Sequence, residues 1–131
     1  MIIYSATAVI SPKQLADLFD DSGIKRPTAD INRIKRMINN ANLLYTAWDN
    51  DMLVGVARGF SDEAYCCYLS DLAVKKDYQK QGIGRKLIKK IHRDLGSTVS
   101  LVLAAAPSAV GYYPKIGFEQ IKSGFKRPRK Y

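Results

Sequence analysis

The stretch DYQKQGIGRKLIKK, residues 77–90, places a pair of glycines just before an amphipathic helical pattern. An apolar, strand-like run ends at Val74, and Gly82 and Gly84 follow within ten residues. The first turn of a helix presents amide hydrogens without backbone acceptors, and the helix dipole adds about half a positive charge there. Glycines let an anion approach such amides closely. The stretch therefore predicts a strand, an anion-binding loop and a helix.

Two familiar phosphate loops do not match this pattern. A dinucleotide-binding fingerprint would need a third glycine where Leu87 stands, and a P-loop would need Gly-Lys followed by Ser or Thr. Glycines at a helix start also serve ordinary turn geometry, which is the alternative interpretation. The choice between the two depends on the rest of the chain.

Hydrophobic periodicity predicts an α/β (α+β) layout on both sides of this stretch. The predicted order is a strand in residues 1–9, helices in 13–23 and 29–42, three antiparallel strands in 43–48, 52–60 and 64–74, a helix in 83–95, a strand in 98–106, a short imperfect helix in 108–117 and a last strand in 118–122. We therefore expect a mixed, mostly antiparallel central sheet flanked by helices, in one domain that covers residues 1–131.

Composition narrows the class of protein. No apolar run approaches the roughly 20 residues needed to cross a bilayer, and the N-terminus lacks the basic region of a secretory signal, so we expect a cytoplasmic protein without a membrane partner. Cys66 and Cys67 are adjacent and His92 is the only histidine, so no metal-ligand cluster is expected.

The formal charge of +9 is concentrated in two segments, 75–93 and 122–130. Such clusters are compatible with an anion site, with a solvated helix face or with a loose basic tail. Nucleic acid is not the expected partner.

Two motifs resemble those of the GNAT N-acetyltransferase superfamily. Gln79-Lys80-Gln81-Gly82-Ile83-Gly84 matches its Q/R-x-x-G-x-G/A signature, and Tyr112-Tyr113-Pro114-Lys115-Ile116-Gly117-Phe118 is similar to its FYEKLGF-type segment. The resemblance implies acetyl-coenzyme A as the acetyl donor, with its pyrophosphate on the loop amides and its pantetheine arm along a splayed strand edge. The cofactor-binding residues implied in this way are Leu72, Ala73, Val74, Gln79, Lys80, Gln81, Gly82, Ile83, Gly84 and Arg85.

The same resemblance implies the residues that carry the reaction. Tyr113 matches the tyrosine that many members use as general acid for the departing thiolate, whereas Tyr112 is expected to pack. A backbone amide near Leu72 would bind the oxyanion at the thioester carbonyl. Asp71 is a candidate base for the amine or, equally, a structural hydrogen-bond acceptor, and Glu63 and Tyr68 are alternatives for the base.

One position departs from the superfamily pattern, because Ala106 stands where many members carry an asparagine that contacts the cofactor. The acceptor is expected to be an amine of a small molecule, with an amine of a protein as the alternative, and analogy with the superfamily suggests a homodimer. The alternatives are a non-catalytic module that binds coenzyme A, nucleic acid or a protein partner on the same fold, including a toxin subunit.

Overall fold

The computed structural model describes all residues, 1–131, and builds them around a five-stranded sheet with helices on both faces. The strands are β1 (Ile2–Ser5), β2 (Leu43–Asp49), β3 (Met52–Ser61), β4 (Cys66–Val74) and β5 (Ser100–Val102), and the helices are α1 (Pro12–Ser22), α2 (Ile31–Asn40) and α3 (Ile83–Leu95). The sheet order is β1-β2-β3-β4-β5, in which only the β4–β5 pair is parallel. The predicted mixed, mostly antiparallel sheet is confirmed.

Local sequence signals explain where the first two helices begin. The Ser11 hydroxyl accepts from the Gln14 amide at 3.0 Å, and the Gln14 side chain accepts from the Ser11 amide at 2.8 Å, which forms a capping box. At α2, the Asp30 carboxylate accepts from the Arg33 amide at 3.0 Å. Both caps satisfy amides that would otherwise lack acceptors.

The core has two layers, one on each face of the sheet. The α3 layer joins Leu87, Ile88 and Ile91 to strand residues that include Val54 and Leu69. The opposite layer packs α1 and α2 on the sheet through Leu15, Phe19, Ile34, Val56 and Ala73. Each helix therefore buries its apolar face on the sheet and exposes its polar face to solvent.

A β-bulge in β4 determines which side chains face each layer. Arg58 of β3 is opposite Asp71 and Gly59 is opposite Leu69, so Ser70 is the extra residue. Leu69 packs in the α3 layer, and beyond the bulge Leu72 packs there as well, whereas Asp71 and its neighbour Ala73 are turned to the α1–α2 side. The bulge thus turns a charged side chain into the layer beneath the first two helices.

Gly59 makes this bulge possible. A Cβ added at Gly59 would lie 2.3 Å from the backbone oxygen of Tyr68, a contact that no side-chain rotation can relieve. We therefore expect Gly59→Ala to lower the free energy of unfolding by about 2–3 kcal/mol in urea denaturation. Gly111→Ala is the matched control, because a Cβ there meets nothing within 4 Å. Equal stability of the two variants would contradict the prediction.

The C-terminal elements differ from the sequence-based expectation. The strand predicted in 98–106 is limited to Ser100–Val102, the helix predicted in 108–117 is replaced by 3₁₀ turns at Pro107–Ala109 and Tyr113–Ile116, and residues 118–122 form no strand. Pro107 and Pro114 each remove an amide donor, which prevents a continuous helix. Phe118 packs on the core but Ile121 is exposed, so the last segment has little apolar surface with which to hold a strand on the sheet.

Candidate active site

Six consecutive backbone amides, those of residues 80–85, have no acceptor within the chain. The Gln79 amide donates to the Lys76 carbonyl at 3.2 Å, and the next amide with a partner is that of Lys86, which donates to the Gly82 carbonyl at 3.0 Å. The free amides surround the N-terminus of α3, where the helix dipole is positive. This geometry forms a cradle for an anion with several oxygens.

Backbone conformation shapes this cradle. Gly82 has φ 84° and caps α3, a left-handed conformation that a side chain would strain. A Cβ placed on Gly84 would lie 3.6 Å from Leu72 Cδ2 and from the Tyr112 hydroxyl oxygen. Gly84 could therefore accept a methyl group, in agreement with the G/A alternative of the motif, and a larger side chain would fill the cradle.

The polar side chains of the loop have separate positions. Gln79 donates through Nε2 to the Val74 carbonyl at 2.9 Å and to the Ser22 carbonyl at 3.3 Å, so it ties the loop to β4 and to the end of α1. Gln81 donates to the Asp77 carbonyl at 3.2 Å. Lys80 and Arg85 are exposed and form no ion pair. Two cations are thus free to attract an anion in the cradle, while Gln79 holds the loop in place.

The strand before the cradle has a free edge. Pairing of β4 with β5 covers only Cys66–Tyr68, so the two strands part after Tyr68. The Lys75 amide donates to the Val54 carbonyl of β3. In an antiparallel pair, successive residues direct their backbone groups alternately toward and away from the partner strand. The backbone groups of Ala73 therefore point toward β3, and those of Leu72 and Val74 point away from it. Leu72 and Val74 therefore offer unpaired amides at the splayed edge, and Ala73 does not.

A groove of about 1310 Å³ extends from the cradle along β5. Its lining includes Gly82 and Arg85 at the start of α3, the segment 100–105, and Tyr113. Leu72 and Val74 are outside this lining, although their side chains pack on the same core layer as Tyr113. The structure thus brings part of the cradle and the predicted acid to one groove, which the free edge of β4 does not line.

The two adjacent tyrosines occupy different surroundings. Tyr113 packs edge-on against Phe118, with ring centroids 5.5 Å apart, and its burial raises the pKa of its phenol above the ordinary value of about 10. Tyr112 directs its hydroxyl to the Gly84 side of the cradle, and burial raises its pKa although Arg85 opposes that shift. Both phenols are therefore protonated at neutral pH.

Asp71 is the centre of an ion triad in which Arg58 is buried and Arg26 is partly exposed. Its carboxylate accepts from Nε of Arg26 at 2.6 Å and from Nε of Arg58, and it is only 1% exposed. Arg26 also donates to the Ser70 carbonyl at 2.9 Å, and Arg58 donates to the Ser70 hydroxyl at 3.2 Å. Both carboxylate oxygens are engaged, and of the two interpretations of Asp71 the geometry favours the structural acceptor.

Sequence reasoning did not identify Arg26 and Arg58 as partners of Asp71. A signal was present, because Arg58 interrupts the apolar run MLVGVARGF and a charge inside a buried strand needs a partner. The contact of Tyr112 with the cradle was also missed, and no local sequence pattern announced it.

The two remaining candidates for the base, Tyr68 and Glu63, differ in their position relative to the point where β4 and β5 part. Tyr68 is the last β4 residue paired with β5 and so marks the point where the strands part, whereas Glu63 lies in the exposed β3–β4 turn.

The structure contains no group of three or more His, Cys, Asp or Glu side chains that could hold a metal ion. None of its helices is both long and apolar enough to cross a membrane.

A parallel β-α-β unit with a splayed strand and an amide cradle at its helix defines the class of coenzyme A-dependent acyltransferase folds that the sequence motifs resemble. Residues 15–128 match the family described as Acetyltransferase (GNAT) domain. The chain belongs to the GNAT acetyltransferase family, whose members generally use acetyl-coenzyme A.

Individual relatives agree with this assignment. The chain is 28% identical to "Uncharacterized N-acetyltransferase ycf52" of Pyropia yezoensis over an alignment of 132 residues, and that alignment covers 95% of this chain and 74% of that protein. It is 35% identical over 79 residues to "GCN5-related N-acetyltransferase 2, chloroplastic" of Arabidopsis thaliana, which covers 56% of this chain and 30% of that protein. A crystal structure of a probable acetyltransferase from meticillin-resistant Staphylococcus aureus has the same fold, with a TM-score of 0.85, 23% identity and full coverage of both chains.

Proposed function

We propose that this acetyltransferase transfers an acetyl group from acetyl-coenzyme A to a primary amine by direct attack of the amine on the thioester. The observation that carries the proposal is the run of six acceptor-free amides at the start of α3, beside the unpaired edge of β4. When bound there, acetyl-coenzyme A would supply the acetyl group as an activated thioester. The residues present fit such a group, because the free amides match the pyrophosphate oxygens and the strand edge matches the amides of the pantetheine arm.

Each part of the site then has a role. The amides of residues 80–85 would hold the pyrophosphate, and Lys80 and Arg85 would each add attraction of about 1 kcal/mol or less at this exposure. The unpaired Leu72 amide would donate a hydrogen bond to the thioester carbonyl oxygen, on which negative charge develops during the attack. Tyr113 holds its proton at Oη for the departing sulfur, and the raised pKa keeps that proton in place at neutral pH.

Asp71 has a structural role in this proposal, since both of its oxygens are bound by arginines. A proton acceptor for the amine is then either solvent or Tyr68, which lies where β4 and β5 part. The exposed Tyr68 hydroxyl could take the amine proton on its oxygen only while it passes its own proton to solvent.

Binding of the donor is tested by thermal unfolding with acetyl-coenzyme A. At a ligand concentration of 100 times Kd, mass action stabilises the native state by about 2.7 kcal/mol, which for a chain of this size raises Tm by roughly 10 °C. A protein whose Tm stays constant at millimolar acetyl-coenzyme A would overturn the proposal.

Two substitutions at Gly84 locate the binding site. Gly84→Val fills the space beside Leu72 and Tyr112 and is expected to abolish the Tm increase, whereas Gly84→Ala is expected to retain it because the added methyl group makes ordinary contacts. Gly111→Val controls for the introduction of valine at a glycine without neighbours. The site assignment fails if Gly84→Val responds to acetyl-coenzyme A like the wild type.

The acceptor is sought with a thiol-release assay on a panel of small-molecule amines and of proteins with exposed lysines. Turnover with one class and not the other assigns the acceptor class. Binding of acetyl-coenzyme A without turnover on any amine would instead favour the non-catalytic coenzyme A-binding module. A cytoplasmic location and a homodimer remain predictions, to be checked by cell fractionation and by light scattering.

A further inference from the structure

The hydroxyl of Tyr112 lies at the cradle but has no partner there. Its oxygen is 3.6 Å from the position that a Cβ of Gly84 would take, and that same position lies 3.6 Å from Leu72 Cδ2 and 3.8 Å from Val74 Cγ2. Only burial and the charge of Arg85 act on the phenol, and no hydrogen bond from the chain reaches it. A protonated donor thus lies beside Gly84, one of the six residues whose backbone amides are free.

The position of Tyr112 is held by its backbone and by its ring. Its amide donates to the Ala109 carbonyl at 3.0 Å, and its carbonyl accepts from the Lys115 amide at 3.1 Å. Its ring packs edge-on against Tyr113, with centroids 5.2 Å apart and planes at 77°. A side chain fixed in this way can donate a hydrogen bond with little loss of conformational entropy.

We propose that Tyr112 is a cofactor-binding residue, whose Oη donates a hydrogen bond to a pyrophosphate oxygen of acetyl-coenzyme A on the α3 amides. This inference rests on the proposed function. It gives the two tyrosines separate duties, with Tyr112 binding the donor and Tyr113 supplying the proton. It also replaces the packing role expected for Tyr112 from the sequence.

Titration calorimetry with coenzyme A tests the inference without turnover. Loss of a hydrogen bond to a charged oxygen is expected to raise the Kd of Tyr112→Phe about 10- to 100-fold. The exposed Tyr65→Phe is the matched control and is expected to bind within about twofold of wild type. Without ligand, the Tm of Tyr112→Phe should equal that of the wild type, because its hydroxyl bonds nothing in the free protein.

A second donor distinguishes the pyrophosphate contact from a contact elsewhere. Acetyl-pantetheine lacks the pyrophosphate, so kcat/KM for this donor should be the same for Tyr112→Phe and wild type, while kcat/KM for acetyl-coenzyme A falls through KM. Equal coenzyme A affinity of Tyr112→Phe and wild type would overturn the inference alone. An equal loss with both donors would overturn the assignment to the pyrophosphate, and a wild-type protein that does not bind coenzyme A would overturn the proposed function itself.

Discussion

Replacing Asp71 by asparagine is expected to lower the free energy of unfolding by about 3–5 kcal/mol. Asp71 is 1% exposed and Arg58 is 6% exposed, so the variant leaves a buried guanidinium without its counter-charge. The asparagine side chain has one oxygen and one NH₂ group, so its NH₂ group would face one of the two arginine Nε donors. Two donors that face each other cannot form a hydrogen bond. Urea denaturation followed by circular dichroism measures the loss.

Two variants control for this effect. Asp17→Asn removes the carboxylate of an exposed pair, Lys13–Asp17 at 3.0 Å, and is expected to change stability by less than about 0.5 kcal/mol. Arg58→Met combined with Asp71→Leu removes both buried charges, and it is expected to be more stable than Asp71→Asn because Arg26 can turn to solvent. An Asp71→Asn protein with wild-type stability and greatly reduced turnover would instead assign Asp71 to proton transfer.

Replacing Tyr113 by phenylalanine is expected to lower kcat about 10²- to 10⁴-fold and to leave the affinity for coenzyme A unchanged. The variant keeps the ring that packs on Phe118 and removes only the proton donor. The pKa of Tyr113 is raised by burial first and by Tyr112 second, so the phenol stays protonated throughout the neutral range. Stopped assays with an identified acceptor measure kcat, and calorimetry measures the affinity.

The pH profile separates an acid from a packing residue. Because deprotonation of Tyr113 requires a pH above the ordinary tyrosine pKa of about 10, loss of this acid should lower wild-type kcat on that alkaline side. Tyr113→Phe should lose this alkaline decrease, whereas Tyr112→Phe should keep it. If Tyr113→Phe had the same kcat as the wild type at every pH, Tyr113 would have no role as the acid.

The sequence predicted the elements whose signals are local. The glycines of 77–90 predicted the loop, the apolar face of 83–95 predicted α3, and β-rich runs separated by turn residues predicted β2, β3 and β4. The prediction of a last strand was wrong, because residues 118–122 form a segment too short and too polar to determine its own pairing. Whether a short segment joins a sheet depends on the edge and the apolar surface that the rest of the chain offers.

By itself, the sequence determined the family, the order of the main elements and the amide cradle of residues 80–85, since helix caps and glycine conformations depend on neighbouring residues. Only the tertiary structure decided what Asp71 and Tyr112 contact. Arg26 is 45 residues from Asp71 in the chain, and Tyr112 is 28 residues from Gly84, so neither contact has a local signal. The bulge at Ser70 and the 3₁₀ turns of the C-terminal segment bring these residues together, because each changes the direction of a side chain relative to the regular pattern.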